Sequence, residues 1–136
     1  MKILLEADAI MPTRAHDDDA GLDLFSPIDV YIYPHSREAI DTGVHLEIPK
    51  GYVGLLTSKS GLMRNYGITT RGTIDCGYTG SISAIVFNDS PITHHVRRGD
   101  KITQLVIVPC ITPELELADK LEDTERGDSG FGSTGR

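Results

Sequence analysis

Turn-forming residues recur along the first 110 positions at roughly 8–12 residue spacing, the interval of a β-sandwich or barrel. Between them lie short runs too brief for helices. Lys2–Glu6 is apolar. Leu22, Leu24 and Phe25 surround Asp23 and stop at Ser26-Pro27. Ile28–Tyr33 ends at Pro34. Val44, Leu46 and Ile48 alternate with His45 and Glu47 and stop at Pro49. Such period-two alternation marks a half-buried strand. Tyr52–Thr57 follows the Lys50-Gly51 turn, Ser81–Phe87 alternates again, and Lys101–Val108 is closed by Pro109. Only Ser60–Tyr66 reads as helical, with Ser58 or Ser60 as N-cap and Gly67 as C-cap. The pattern predicts an all-β chain, a two-sheet jelly roll with one short helix.

The segment Asp119–Arg136 breaks this pattern. Its large apolar side chains are Leu121 and Phe131, and Gly127, Gly130, Gly132 and Gly135 punctuate it. It has too little apolar surface to offset the entropy of ordering itself. The expected organisation is a catalytic domain at residues 1–118 and a flexible Gly-rich C-terminal arm at 119–136. An isolated Phe131 among glycines, followed by Ser133-Thr134-Gly135, suits a segment that orders on a ligand. Its backbone approaches phosphates closely, its hydroxyls donate, and its ring stacks.

Composition narrows the partners. The 136 residues carry 13 Lys and Arg against 20 Asp and Glu, a net charge of −7. Gripping a nucleic-acid polymer requires a basic stripe that displaces counterions, and anionic membranes make the same demand. Neither partner is expected. Cys76 and Cys110 form no CxxC pair, and the histidines show no HExxH spacing. A reducing, cytoplasmic setting without a structural zinc is the expectation. No apolar run approaches the roughly 20 residues that span a bilayer.

Four pieces carry candidate chemistry. Asp18-Asp19-Ala20-Gly21-Leu22-Asp23-Leu24 is an acidic turn entering a strand, and Asp23 suits a metal site reached through water. Lys59-Ser60-Gly61 starts the helix, where backbone N–H groups, a hydroxyl and an ammonium favour an anion. The spacing is not that of a phosphate-binding GxxxxGKS/T loop. Gly72-Thr73-Ile74-Asp75-Cys76-Gly77-Tyr78-Thr79-Gly80 is a hairpin whose Asp75, if semi-buried, is a candidate general base on water. Arg98-Gly99-Asp100-Lys101 turns into a strand whose lone amide, Gln104, needs partners or a ligand. Taken singly, each piece also reads as an ordinary turn, cap or packing feature.

Together with the tail, these pieces resemble, in order, the five motifs of the trimeric dUTP pyrophosphatase (dUTPase) family. AGxDL is Ala20–Leu24. Ser60-Gly61-Leu62 follows the PxGxxxxL run beginning at Pro49. GxIDxxYxG is Gly72–Gly80, RGDxxxQL is Arg98–Leu105, and the glycine-rich last motif is Arg126–Gly135. The resemblance implies a jelly-roll homotrimer with active sites shared between subunits. It implies hydrolysis of dUTP to dUMP and diphosphate, assisted by Mg²⁺. By that resemblance Asp75 activates water and Tyr78 packs on deoxyribose. The backbone of the Thr69–Gly77 hairpin, with Gly72 and Ile74, reads uracil. Lys59, Ser60, Gly61 and Gln104 meet the α- and β-phosphates. Arg126, Ser133 and Thr134 hold the γ-phosphate, with Gly132 beside them. Phe131 stacks on the base, and Asp23 reaches Mg²⁺ through water.

Three positions depart from the family pattern. Lys59 stands where Arg is usual and loses the planar bidentate fork while keeping the charge. Thr69 stands where Asn is usual, and Arg71 replaces a small or apolar residue. Two other readings compete. A dCTP deaminase on the same fold would need a Glu in Ser81–Asn88, and none is there. A nucleotide-binding or signalling trimer with little catalysis would account for Lys59 but not for the intact Asp75 and Gln104.

Overall fold

The computed structural model describes residues 1–128. These residues form ten strands and one helix: β1 (Ile3–Leu5), β2 (Gly21–Phe25), β3 (Val30–Ile32), β4 (Ser36–Asp41), β5 (Val44–Leu46), β6 (Tyr52–Thr57), α1 (Ser60–Tyr66), β7 (Ile68–Ile74), β8 (Ser83–Asn88), β9 (His94–Val96) and β10 (Lys101–Pro109). All pairings are antiparallel. Six strands lie in the order β2-β10-β6-β7-β8-β4, and two ribbons, β1-β5 and β3-β9, complete the fold. The all-β jelly-roll expectation holds.

Strand β7 makes the sheet curl. Its first residues, Ile68–Thr70, pair with β8, whereas Arg71–Ile74 pair with β6. One strand thus belongs to two halves of the sheet, and each half closes over its own core. Leu24, Leu56 and Leu105 from β2, β6 and β10 meet Val44 and Leu46 of β5, with Ile48 and Ile82. Ile40, Ile68, Ala84 and Val86 meet Ile32 and Val96 of the β3-β9 ribbon, with Ile102. Burying one such side chain contributes about 1.5–3 kcal/mol. Thr70 and Thr103 are buried too; Thr70 Oγ1 donates to Thr103 Oγ1 at 2.8 Å, and Thr103 Oγ1 to the Thr57 carbonyl at 3.0 Å.

Helix α1 has the expected bounds, and Gly67 takes the left-handed conformation (φ 65°) that ends it. Its start differs from expectation. Lys59 is the N-cap and makes no side-chain capping bond. Ser58 is spent on β7 instead, its Oγ donating to the Thr70 carbonyl at 3.0 Å and accepting the Thr70 N–H at 2.9 Å. The expected strand Lys2–Glu6 shortens to Ile3–Leu5, and its apolar side chains stay exposed. From Ile111 to Asp128 every residue is exposed, including Leu115 and Leu117. Among the described residues no helix is long and apolar enough to cross a membrane.

Candidate active site

The Asp23 carboxylate is the most constrained charged group in the fold. Strand register sets Asp23 opposite Gln104, and Gln104 opposite Thr57, so the three share a row across β2, β10 and β6. The Asp23 backbone is pinned on its other side, its N–H donating to the Thr13 carbonyl at 2.7 Å. The side chain is 6% exposed and receives two ammonium groups. Lys59 pairs with Oδ1, and Lys101 Nζ lies 2.8 Å from Oδ2. Burial alone would push this carboxyl up. The hydrogen bonds and charges of Lys101 and Lys59 outweigh it and hold the carboxyl below its ordinary value.

Gln104 extends toward Gly21, two residues before Asp23 on the same strand face. A Cβ at Gly21 would sit 2.4 Å from Gln104 Oε1, so the glycine of the AGxDL motif clears space for the amide. The amide is held loosely, with Nε2 donating to the Ser58 carbonyl at 3.4 Å. In the same row Thr57 Oγ1 is buried and has no hydrogen-bond partner among the described residues. Gly21, Asp23, Lys59 and Gln104 line a cavity of about 270 Å³ with Asp19 and Ala15. Ser60 and Gly61 are exposed at the start of α1, whose first turn carries no acidic residue. The first N–H groups of a helix have no intrahelical acceptor. Lys59 and Lys101 here offset the carboxylates of Asp23 and Asp19, and the exposed N–H groups at the start of α1 add donors for an anion.

The Arg98–Lys101 turn proves architectural in its first three residues. Arg98 donates from Nη1 to the Pro27 carbonyl at 2.7 Å, and Asp100 Oδ2 accepts the Arg97 N–H at 2.8 Å. The turn ties the end of β2 to the start of β10 and so aims Lys101 at Asp23. Sequence reasoning passed over Lys101, because nothing in its local pattern sets it apart from a turn-flanking lysine.

The second cluster lies on the hairpin. The N–H of Tyr78 donates to the Asp75 carbonyl at 3.2 Å, and Gly77 supplies the positive φ (85°) at the turn's third position. Beyond Thr70 the partner edge of β7 is β6 alone; β8 has splayed away, because Ile82 bonds to Val44 instead. The backbone of Gly72–Ile74 is therefore left with one unpaired edge. Asp75 is exposed in the protomer, correcting the expectation of a semi-buried carboxylate. Tyr78 folds over Gly80 and donates from Oη to the Ser81 carbonyl at 3.0 Å. Ile74, Asp75 and Tyr78 line a cavity of about 260 Å³ with Thr73, Ser81 and Ser83. Thr69 lies farther along β7, its Oγ1 3.5 Å from Asp89 Oδ2. Arg71 stacks its guanidinium over Phe87 at 5.0 Å, which gives that unusual residue a packing role.

The hairpin cavity and the Asp23 cavity share no lining residue. One protomer thus keeps the candidate base and the candidate phosphate site apart. Arg126 sits on the exposed terminal segment, and Phe131, Gly132, Ser133 and Thr134 lie outside the described residues. Among the described residues no three His, Cys, Asp or Glu side chains are grouped to hold a metal. Both Asp23 oxygens already accept from lysine. A Mg²⁺ ion coordinated directly by Asp23 would have to displace an ammonium group from it.

A curled antiparallel β-sheet with a lysine- and amide-bearing cavity on one side and an acid-bearing, open-edged hairpin on the other defines a class of small all-β proteins. The dUTPase family model matches residues 7–135. The deoxyuridine 5'-triphosphate nucleotidohydrolase of Clostridium novyi is 43% identical over 99% of each chain. That of Clostridium tetani is 42% identical over 98% of this chain and 94% of its own. The Staphylococcus bacteriophage 80alpha dUTPase, solved with dUPNHPP, superposes with a TM-score of 0.93 at 35% identity, covering 99% and 98% of the two chains. A mutant dUTPase from Staphylococcus aureus phage phi11, solved with a structural Mg(II) ion, gives 0.83 at 35% identity over 90% and 98%. The chain belongs to the dUTPase family.

Proposed function

We propose that this protein hydrolyses dUTP to dUMP and diphosphate as a cytoplasmic homotrimer whose active sites are shared between subunits. The observation that carries the reading is the separation just described. In one protomer the Asp75 hairpin and the anion cavity do not meet, so a complete site draws on more than one copy. The exposed apolar side chains of β1, Leu115 and Leu117 supply surface for those contacts. Full-length relatives named for the same reaction supply the substrate.

In this reading uracil meets the hairpin backbone that runs on from Thr69, at the unpaired edge of β7 from Gly72 to Ile74. Matching donors and acceptors there reject cytosine more strongly than sterics alone would. Tyr78 lies along the deoxyribose and excludes a 2′-OH. Lys59, Ser60, Gly61 and Gln104 hold the α- and β-phosphates. The arm at residues 119–136 brings Arg126, Ser133 and Thr134 to the γ-phosphate, with Gly132 beside them and Phe131 on the base. Asp75 takes the proton from a water as that water attacks the α-phosphorus, and the bond from that phosphorus to the β-bridging oxygen breaks. Mg²⁺, when bound, offsets the charge of the triphosphate. The ammonium groups on Asp23 contribute in the same sense, and much of the remaining acceleration is positioning.

Diphosphate release from dUTP, dCTP, dTTP and UTP tests this directly. Activity is expected on dUTP alone. Asp75→Asn, isosteric and exposed, is expected to lower kcat by about 10²–10⁴-fold with the assembly intact. Wild-type turnover in Asp75→Asn would refute the assigned base.

A further inference from the structure

One side chain outside both clusters ties the hairpin to the rest of the fold. His45 sits at the centre of β5 between buried Val44 and Leu46, so strand alternation turns its ring away from the core. Its Nδ1 lies 2.8 Å from the Thr79 carbonyl oxygen, and its Nε2 lies 3.1 Å from Glu6 Oε1. Thr79 follows Tyr78 directly, and Glu6 follows β1. A carbonyl only accepts, so Nδ1 must carry a hydrogen. An ionised carboxylate only accepts, so Nε2 must carry one as well. The imidazolium alone satisfies both partners. A neutral ring keeps one bond and turns a lone pair toward the other oxygen.

The surroundings favour that charged form. Asp41, at the end of β4, accepts from the Gly43 N–H at 3.1 Å and from the Ser81 hydroxyl. Lys2 and Glu47, which pair with each other at 2.9 Å, line a surface hollow together with His45 and Thr79. Three carboxylates thus face His45 with a single lysine among them. The Thr79 carbonyl and then Glu6 hold the ring's pKa above its ordinary 6.5, against a smaller opposing effect of burial.

The other ties on this stem run through backbone and hydroxyl groups. Ile82 N–H donates to the Val44 carbonyl at 2.9 Å, Thr42 Oγ1 donates to the Ile82 carbonyl at 2.7 Å, and Tyr78 Oη bonds to Ser81. His45 holds the residue that follows Tyr78 and carries an ionisable proton.

We infer that His45 is a positioning residue of the substrate hairpin: its doubly protonated ring bridges the Thr79 carbonyl and Glu6, and nucleotide affinity falls when the ring gives up its proton. The inference rests on the reading that this hairpin holds the nucleoside. A group whose folded-state pKa is raised contributes fully below the unfolded value and loses that contribution as pH rises through the folded one. The tie is therefore complete below pH 6.5 and falls to the single bond of a neutral ring as pH rises through the ring's own, higher value.

Two measurements on the full chain decide this. In an NMR titration without ligand, His45 should lose its proton above its ordinary value. The backbone amides of Tyr78, Thr79 and Gly80 should shift with the same midpoint, and Glu6→Gln should move that midpoint down. In calorimetry with dUpNHpp from pH 5.5 to 9, the ratio of dissociation constants between His45→Phe and wild type cancels the ligand's own ionisation. That ratio should be about 3- to 10-fold larger at the acid end than at the alkaline end, the worth of the one hydrogen bond that deprotonation removes. A pH-independent ratio, hairpin amides that ignore the His45 proton, or a midpoint unmoved by Glu6→Gln would each overturn the proposal. If wild type failed to bind dUpNHpp, the hydrolase reading would fall, and the amide titration would still decide the tie.

Discussion

Replacing Gly21 with alanine separates function from stability more sharply than any other substitution in this fold. The new methyl would lie 2.4 Å from Gln104 Oε1, 3.1 Å from its Cδ and 3.2 Å from its Cβ. The two nearest obstructing atoms are the far end of one flexible side chain; the third, its Cβ, is a tight contact that must give by a few tenths of an ångström, and no backbone is among the three. Gly21 has no positive φ, so alanine is conformationally allowed. Relief comes by rotating Gln104 away, at about 0.5–1.5 kcal/mol of rotamer strain. The lower entropy of the unfolded chain returns about 0.4–1 kcal/mol. These terms nearly cancel, so the melting temperature should move by only a few degrees, given roughly 3–6 °C per kcal/mol at this size. Activity responds differently. Displacing the amide removes a hydrogen bond to a charged phosphate, worth about 1.5–3 kcal/mol. At 1.36 kcal/mol per decade, kcat/KM for dUTP should fall roughly 10- to 150-fold. Steady-state diphosphate release, paired with thermal melts, reads both quantities. Unchanged kcat/KM would show that Gln104 does not touch the substrate. A loss that merely tracks unfolding would show that Gly21 is structural.

The same substitution at Gly54 should behave in the opposite way. There a Cβ would lie 2.9 Å from both Ile48 Cδ1 and Leu105 Cδ1 and 3.3 Å from Ile74 Cβ, inside a packed core. Overpacking should cost about 1–3 kcal/mol and lower the melting temperature measurably, before any effect on chemistry; an unchanged melt would contradict the packing described. Asp23→Asn should destabilise the protein at pH 7, because two lysines lose their counter-charge. The folded carboxyl sits below its ordinary 3.8, so its contribution is present above that value and lost as pH falls through the lower one. The gap between wild-type and variant melting temperatures should close under acid, and a gap constant to pH 3 would remove the ion pairs from the account.

Much of the scaffold is legible in the sequence. Pro109 is the last residue of β10, as suits a residue that donates no backbone hydrogen bond, and Gly67 ends α1 because glycine accepts positive φ; β5 stops at Leu46, short of Pro49. Strand β4 escaped notice because Ser36, Arg37, Glu38 and Asp41 leave Ile40 as its sole buried side chain. It is a strand because β8 offers an edge to pair with, which no local pattern records. Strand β9 was missed for the same reason; His94 and His95 carry little strand signal. The Ser58 hydroxyl looked like a helix cap, yet β7 passes within hydrogen-bond distance and claims it.

The linear sequence by itself determined the all-β class, the lone helix and the order of motifs from Ala20 to Gly135. Each of these follows from local chemistry: alternation, turn residues, caps and spacing. Tertiary structure decided which charges meet. Asp23, Lys59 and Lys101 are far apart in the chain. They converge because β2 pairs with β10 in one register and the turn at Arg98–Lys101 fixes where β10 begins. A one-residue slip would turn Asp23 to the other face of the sheet and dissolve the cluster. His45 meets Thr79 and Glu6 for a similar reason, since the pairing of β5 with β1 and the splaying of β8 bring three distant segments to one ring. Side-chain chemistry is written residue by residue, but the partner of a charge depends on sheet register, which only the whole fold sets.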